Sequence, residues 1–150
     1  MEEFRQGDRI LININIVLDN GAYLPTRGHV ADAGLDLMTP IDFIVPKGSC
    51  YTIDTGVHME IPMGWWGKLE SKSGLNIKHD VVSLGGTIDS GYTGSIRVKL
   101  YNFGNSDYEF KKGEKVVQII IAPCEYPILH LVNGLSKTDR GDNGFGSTGK

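Results

Sequence analysis

Ser95-Ile96-Arg97-Val98-Lys99-Leu100-Tyr101 puts apolar side chains on one face of an extended segment and polar ones on the other. Period two dominates around it. Thr52-Ile53-Asp54 and Val57-His58-Met59-Glu60-Ile61 alternate in the same way, and Ile10, Ile12, Ile14 and Ile16 share a face opposite Asn13 and Asn15. The run from Val116 to Ala122, broken only by Gln118, predicts a strand covered on both faces. Turn residues separate these runs: Asp19-Asn20-Gly21, Pro46-Lys47-Gly48, Pro62-Met63-Gly64, Asp89-Ser90-Gly91, Asn102-Phe103-Gly104-Asn105 and Lys112-Gly113. Short strands at spacings of about 8–12 residues, punctuated by Gly and Pro, predict an all-β antiparallel sandwich, barrel or jelly roll. Only Ser73 to His79 has the pattern for a helical turn or two.

The 150 residues predict one domain able to bury a core without staples. Twenty glycines, nearly twice the usual ~7%, predict many tight turns or close backbone approaches. Fifteen Lys and Arg against eighteen Asp and Glu give a net charge of −3, which offers no global support for binding a nucleic-acid backbone. Cys50 and Cys124 form neither a CxxC nor a disulfide framework and read as buried thiols in a reducing compartment. Met1-Glu2-Glu3-Phe4-Arg5 is acidic where a secretory leader is basic, and the longest apolar runs are strand-sized. A cytoplasmic location is expected.

Several segments could carry chemistry, each with a plainer reading beside it. Gly144-Phe145-Gly146-Ser147-Thr148-Gly149-Lys150 contains GxxxxGK, but the sequence ends before the Ser or Thr and the helix that a P-loop requires. Asp139 to Lys150 has one bulky apolar residue, Phe145, and cannot build its own core, so it should be mobile until something orders it. Its exposed amides, hydroxyls, Arg140 and Lys150 suit a phosphorylated ligand with a flat ring. Ser71-Lys72-Ser73-Gly74 is either an anion site or a serine N-cap. Gly85 to Gly94 reads as a hairpin with glycine on both sides of Asp89, which is a turn carboxylate or a working acid, while Tyr92 reads as a half-buried strand aromatic. Asp32 and Asp36 flank Gly34 as surface acids or ligands. No Gly-x-Ser-x-Gly elbow, HExxH or EF-hand loop occurs, and His29, His58, His79 and His130 are widely scattered.

Taken together and in order, five segments resemble the trimeric dUTPase family. They are Asp32-Ala33-Gly34-Leu35-Asp36-Leu37, Lys72-Ser73-Gly74-Leu75, Gly86-Thr87-Ile88-Asp89-Ser90-Gly91-Tyr92-Thr93-Gly94, Gly113-Glu114-Lys115-Val116-Val117-Gln118-Ile119-Ile120, and Arg140-Gly141-Asp142-Asn143-Gly144-Phe145-Gly146-Ser147-Thr148-Gly149. The third and fifth are strongly diagnostic.

The resemblance implies a jelly-roll-like β fold, a homotrimer with active sites shared between subunits, and a C-terminal arm that closes over the ligand. Residues 1–138 would form the catalytic domain and 139–150 the flexible arm. The implied reaction splits dUTP into dUMP and pyrophosphate by attack of water on the α-phosphorus, which keeps uracil out of DNA and supplies dUMP for thymidylate synthesis. Asp89 matches the acid that orients and deprotonates the water. A carboxylate is a weak base at pH 7, so its share is the ~10²–10⁴-fold typical of general-base catalysis. Positioning and charge stabilisation supply the rest. Magnesium would be held chiefly by the three phosphates, with Asp36 contacting its water shell. Lys72, Ser73, the amide of Gly74 and Gln118 match phosphate-holding positions. Arg140 matches the cation for the terminal phosphate, Phe145 the ring on uracil, and Gly146, Ser147 and Thr148 the rest of the arm's contacts. The backbone of Gly86, Thr87 and Ile88 would read the base, a cytosine leaving polar groups unpaired and a thymine methyl overpacking the slot. Tyr92 matches the aromatic that packs on deoxyribose and excludes a 2′-hydroxyl.

Two positions depart from the pattern of many cellular members: Lys72 stands where Arg is usual, and Gly91 where a second acid is usual. Both variants resemble viral and phage members. The related dCTP deaminase fold needs an extra glutamate near the base, and there is no Glu between Asp80 and Asn102. A nucleotide-gated interaction protein is the reading from another class, and turnover separates it from an enzyme. No stable binding to nucleic acid or membrane is expected.

Overall fold

A computed structural model describes residues 12–143 of the chain. Among them run β1 (Asn15–Leu18), β2 (Gly34–Met38), β3 (Phe43–Val45), β4 (Cys50–Asp54), β5 (Val57–Glu60) and β6 (Trp65–Glu70). A single helix, α1 (Ser73–His79), follows. Then come β7 (Val81–Ser83), β8 (Thr87–Ile88), β9 (Arg97–Asn102), β10 (Tyr108–Phe110) and β11 (Lys115–Pro123). Every strand pair is antiparallel. The largest sheet has the order β2-β11-β6-β8 and the next β4-β9-β7, with β1-β5 and β10-β3 as two-stranded ribbons. This is the antiparallel all-β architecture that the alternating pattern predicts, with one short helix, in keeping with the jelly-roll-like fold the resemblance implies.

The core follows from that alternation. Along β9, Val98, Leu100 and Asn102 are buried while Arg97 and Lys99 face solvent. β11 is central in its sheet, and Val116, Val117 and Ile119 are fully buried. Ile12, Ile14 and Ile16 are half-buried and Asn13 and Asn15 exposed, as their period requires; Ile10 lies outside the described residues.

Asp36, Thr39, Thr55 and Asn102 are the buried polar residues among those described, and Asn102 joins two elements of the core. Asn102 is fully buried, and its Nδ2 donates to Val45 O (3.0 Å) and Ser106 O (2.8 Å) while its Oδ1 accepts from Gly104 N–H (2.8 Å). It ties the loop after β9 to β3. Asn102→Ala removes the side-chain partner of Val45 O, Ser106 O and Gly104 N–H and leaves a buried void, and should lower stability by about 2–4 kcal/mol, read as a shift in urea midpoint at unchanged m.

Three local expectations change. The segment from Gly85 to Gly94 is not a hairpin: β8 pairs with β6, whereas β9 pairs with β4 and β7, so this stretch is a corner between two sheets. The helix has no serine cap. Its N-cap is Lys72, which makes no side-chain capping bond, because Ser71 Oγ instead accepts from Ser83 N–H at 2.9 Å. Cys50 and Cys124 are half-exposed free thiols rather than buried ones. No helix residue is buried, and the helix closes on Asp80, whose left-handed backbone (φ 56°) lets its N–H reach Asn76 O. No helix among the described residues is long and apolar enough to cross a membrane.

Candidate functional site

Two recesses open on the four-stranded sheet. The first, about 290 Å³, is lined by Asp32, Ala33, Gly34, Lys72, Ser73 and Gly74, with Asp36 and Gln118 as its floor. Asp36 on β2 stands opposite Gln118 on β11, and Gln118 Nε2 donates to Ser71 O (3.2 Å), linking floor to rim. Gly34 is required by this packing, since a Cβ there would run into the Gln118 side chain. The first, second and fourth segments of the sequence pattern thus converge in one place.

Asp36 is only 7% exposed, yet it is charged. Lys72 Nζ bonds its Oδ1, and Lys115 Nζ lies 2.7 Å from its Oδ2. Burial pushes its carboxyl upward, but the hydrogen bonds and charges of Lys115 and Lys72 outweigh this and hold it below the usual carboxylate range. A depressed carboxyl adds stability above its unfolded pKa and loses it as pH falls through the folded one. The stability difference between wild type and Asp36→Asn should therefore be flat from about pH 5 to 8 and shrink in more acidic solution. Urea midpoints of both proteins across that range check this.

The second recess, about 260 Å³, is lined by Leu69, Gly86, Thr87, Ile88, Asp89, Tyr92 and Arg97. Thr87 and Ile88 pair with Lys68 and Gly67 of β6, and Leu69 N–H donates to Gly86 O at 2.9 Å. Gly86 has φ 145°, and a Cβ on it would strike the Leu69 side chain, so the wall is bare backbone at this position. Asp89 is exposed and begins a turn closed by Tyr92 N–H to Asp89 O (3.0 Å). Tyr92 is exposed rather than half-buried in a strand; its hydroxyl donates to Ser95 O (2.8 Å) and its ring fills the space a side chain at position 94 would need. His58 Nδ1 lies 2.9 Å from Thr93 O and braces the far end of the corner.

The two recesses share no lining residue. β2 and β8 are opposite edges of the sheet, and the Gln118–Glu70 and Ile88–Gly67 pairs are displaced along β6. Strand spacing and rise put Asp36 and Ile88 roughly 15–20 Å apart. Arg140 lines neither recess; it is exposed, and its Nε donates to Asn143 O at 2.9 Å. Phe145, Gly146, Ser147 and Thr148 lie outside the described residues. Lys115 and Arg97 are additions that the sequence reading did not single out. Lys115 stands inside the fourth segment, but its approach to Asp36 depends on a strand irregularity that no local pattern reveals.

A magnesium ion suits the first recess only with help. Among the described residues no three His, Cys, Asp or Glu side chains could hold a metal. The hard oxygens of Asp36, Gln118 and Ser73 fit an outer shell, provided a ligand's phosphates supply the inner one.

A slot with bare backbone at Gly86 beside a carboxylate, and a polar recess whose Asp36 bonds Lys72 and Lys115, are parts that could hold a nucleoside and its phosphates. The dUTPase family profile matches residues 20–149, and the chain belongs to that family. It is 39% identical over 133 residues to the deoxyuridine 5'-triphosphate nucleotidohydrolase of Rattus norvegicus, covering 89% of this chain and 65% of that protein. The chain thus matches a little under two-thirds of the rat relative's length. The enzyme of the same description from Clostridium acetobutylicum is 38% identical over 142 residues, covering 93% of this chain and 98% of the bacterial one. Among solved structures, the Staphylococcus bacteriophage 80alpha dUTPase with dUpNHpp superposes with TM-score 0.87 at 28% identity, over 92% of this chain and 99% of that one. A mutant dUTPase of phage phi11 of S. aureus, described with a structural Mg(II) ion, gives TM-score 0.76 at 25% identity, over 82% and 98%.

Proposed function

We propose that this chain hydrolyses dUTP to dUMP and pyrophosphate, with Asp89 as the base for water attacking the α-phosphorus. The observation that carries the reading is the exposed Asp89 carboxylate at the end of the recess wall formed by Gly86, Thr87 and Ile88, bare backbone at Gly86. Backbone donors and acceptors in that wall take the uracil edge, so a cytosine leaves them unpaired. The Tyr92 ring packs on the deoxyribose. Lys72, Ser73, the Gly74 amide and Gln118 hold the phosphates. Asp36, with Gln118 and Ser73 beside it, would face the outer shell of a magnesium ion carried by the triphosphate, and that ion would supply charge neutralisation of the developing pyrophosphate. Asp89 orients the water, takes its proton as the oxygen bonds to phosphorus, and pyrophosphate departs in line.

The same reading extends to assembly. The roughly 15–20 Å of sheet between Asp36 and Ile88, the neighbour of Asp89, favours a site in which the slot of one subunit faces the polar recess of another. A homotrimer with such shared sites is the arrangement proposed for this family member. Residues 125–143 are all exposed, including Ile128, Leu129, Leu131 and Leu135, an apolar segment suited to lie on a neighbour. Residues 1–138 form the catalytic domain, and residues 139–150 close over the nucleotide with Arg140 on the terminal phosphate and Phe145 on the base. The activity keeps uracil out of DNA and supplies dUMP, in the cytoplasm or in a host cell's cytoplasm or nucleus.

Turnover in ¹⁸O-labelled water tests the chemistry. Label should appear in dUMP, because water attacks the α-phosphorus; label in pyrophosphate would contradict the assignment.

A further inference from the structure

We infer that Lys115 is a positioning residue that keeps Asp36 closed to a divalent cation until a triphosphate arrives, so that metal and nucleotide enter together. The inference rests on the proposed hydrolysis of dUTP. It starts from a slip in the sheet. Asp36 faces Gln118 and Leu37 faces Val117, but Met38 faces Lys115 rather than Val116. Val116 is the extra residue of a β-bulge, turned into the core beside Val117, and both are fully buried. Met38 and Asp36 share one face of β2, so the residue opposite Met38 joins that face. Without the bulge Lys115 would stand one place on, on the core side. The bulge delivers its ammonium to Asp36 Oδ2 at 2.7 Å.

The consequence is electrostatic. Each Asp36 oxygen already holds one lysine, and the triad carries a net charge of +1. The other acid of the recess, Asp32, accepts His29 N–H at 2.8 Å. A hydrated magnesium ion approaching Asp36 meets two ammonium groups, and it gives up its water reluctantly. A triphosphate changes the balance by offering both lysines stronger acceptors. Lysine suits this exchange, being a compact charge on a flexible stem; 43% of the Lys115 side chain is exposed, against 24% for Lys72.

Manganese titrations followed by electron paramagnetic resonance, on the full chain with and without dUpNHpp, test this. Wild type should bind manganese at least ~100-fold more weakly without the analogue than with it. Lys115→Met should strengthen manganese binding to the nucleotide-free protein about tenfold, and Lys115→Arg should restore the wild-type pattern. Should circular dichroism show Lys115→Met unfolded, Lys115→Gln carries the same comparison. Equal manganese affinity with and without the analogue in wild type, or no change in the neutral variant, overturns the inference. Calorimetry in parallel separates the two readings: failure of dUpNHpp to bind at all overturns the hydrolase as well, whereas tight manganese uptake by nucleotide-free wild type overturns only this one.

Discussion

Asp89→Asn lowers kcat by at least ~10²-fold while leaving dUTP binding close to wild type. The substitution keeps size and hydrogen-bonding reach but removes the negative charge that accepts a proton. The turn does not depend on that charge, since it is closed by the backbone bond from Tyr92 N–H to Asp89 O. The proposed base and sugar contacts are at Gly86, Thr87, Ile88 and Tyr92, which the change does not touch. The expected signature is a fall in kcat with an unchanged dissociation constant for dUpNHpp, measured by calorimetry. Unchanged kcat would remove Asp89 from the base role and leave positioning and phosphate charge as the whole of catalysis.

Truncation after Asp139 removes most activity, on the order of 10²-fold or more in kcat/KM, and leaves the fold and assembly intact. The packed body ends with β11, and every described residue from Glu125 onward is exposed, so residues 140–143 contribute nothing to the core. What is lost is Arg140, able to grip a phosphate bidentately, and Phe145, able to cover a base. Circular dichroism, urea midpoint and sedimentation should match the full chain while steady-state turnover collapses. Loss of the cooperative unfolding transition would make the arm structural instead of a lid.

The sheet-forming segments were legible because their burial is local in sequence. Val98, Leu100 and their polar neighbours write the face of β9 into alternation, and Ser73 to His79 is helical over the range its pattern allows. What stayed hidden depends on partners distant in the chain. Nothing between Gly85 and Gly94 says that the strand before it joins β6 and the strand after it joins β4, so a corner reads as a hairpin. Ser71 looks like a cap until Ser83, twelve residues on, claims its hydroxyl. The bulge at Val116 exists only against the register of β2, and with it the Lys115–Asp36 pair. The candidate site was legible as motifs but not as a place, because its two halves lie on opposite edges of one sheet.

Pyrophosphate release from dUTP, dCTP, dTTP and UTP in turn, with magnesium, tests whether the protein cleaves a uracil deoxynucleotide selectively. Release from dUTP should exceed that from each of the others by at least ~10²-fold, because each competitor leaves a polar group unpaired or a slot overfilled. Comparable release from all four, or none from dUTP, would contradict it.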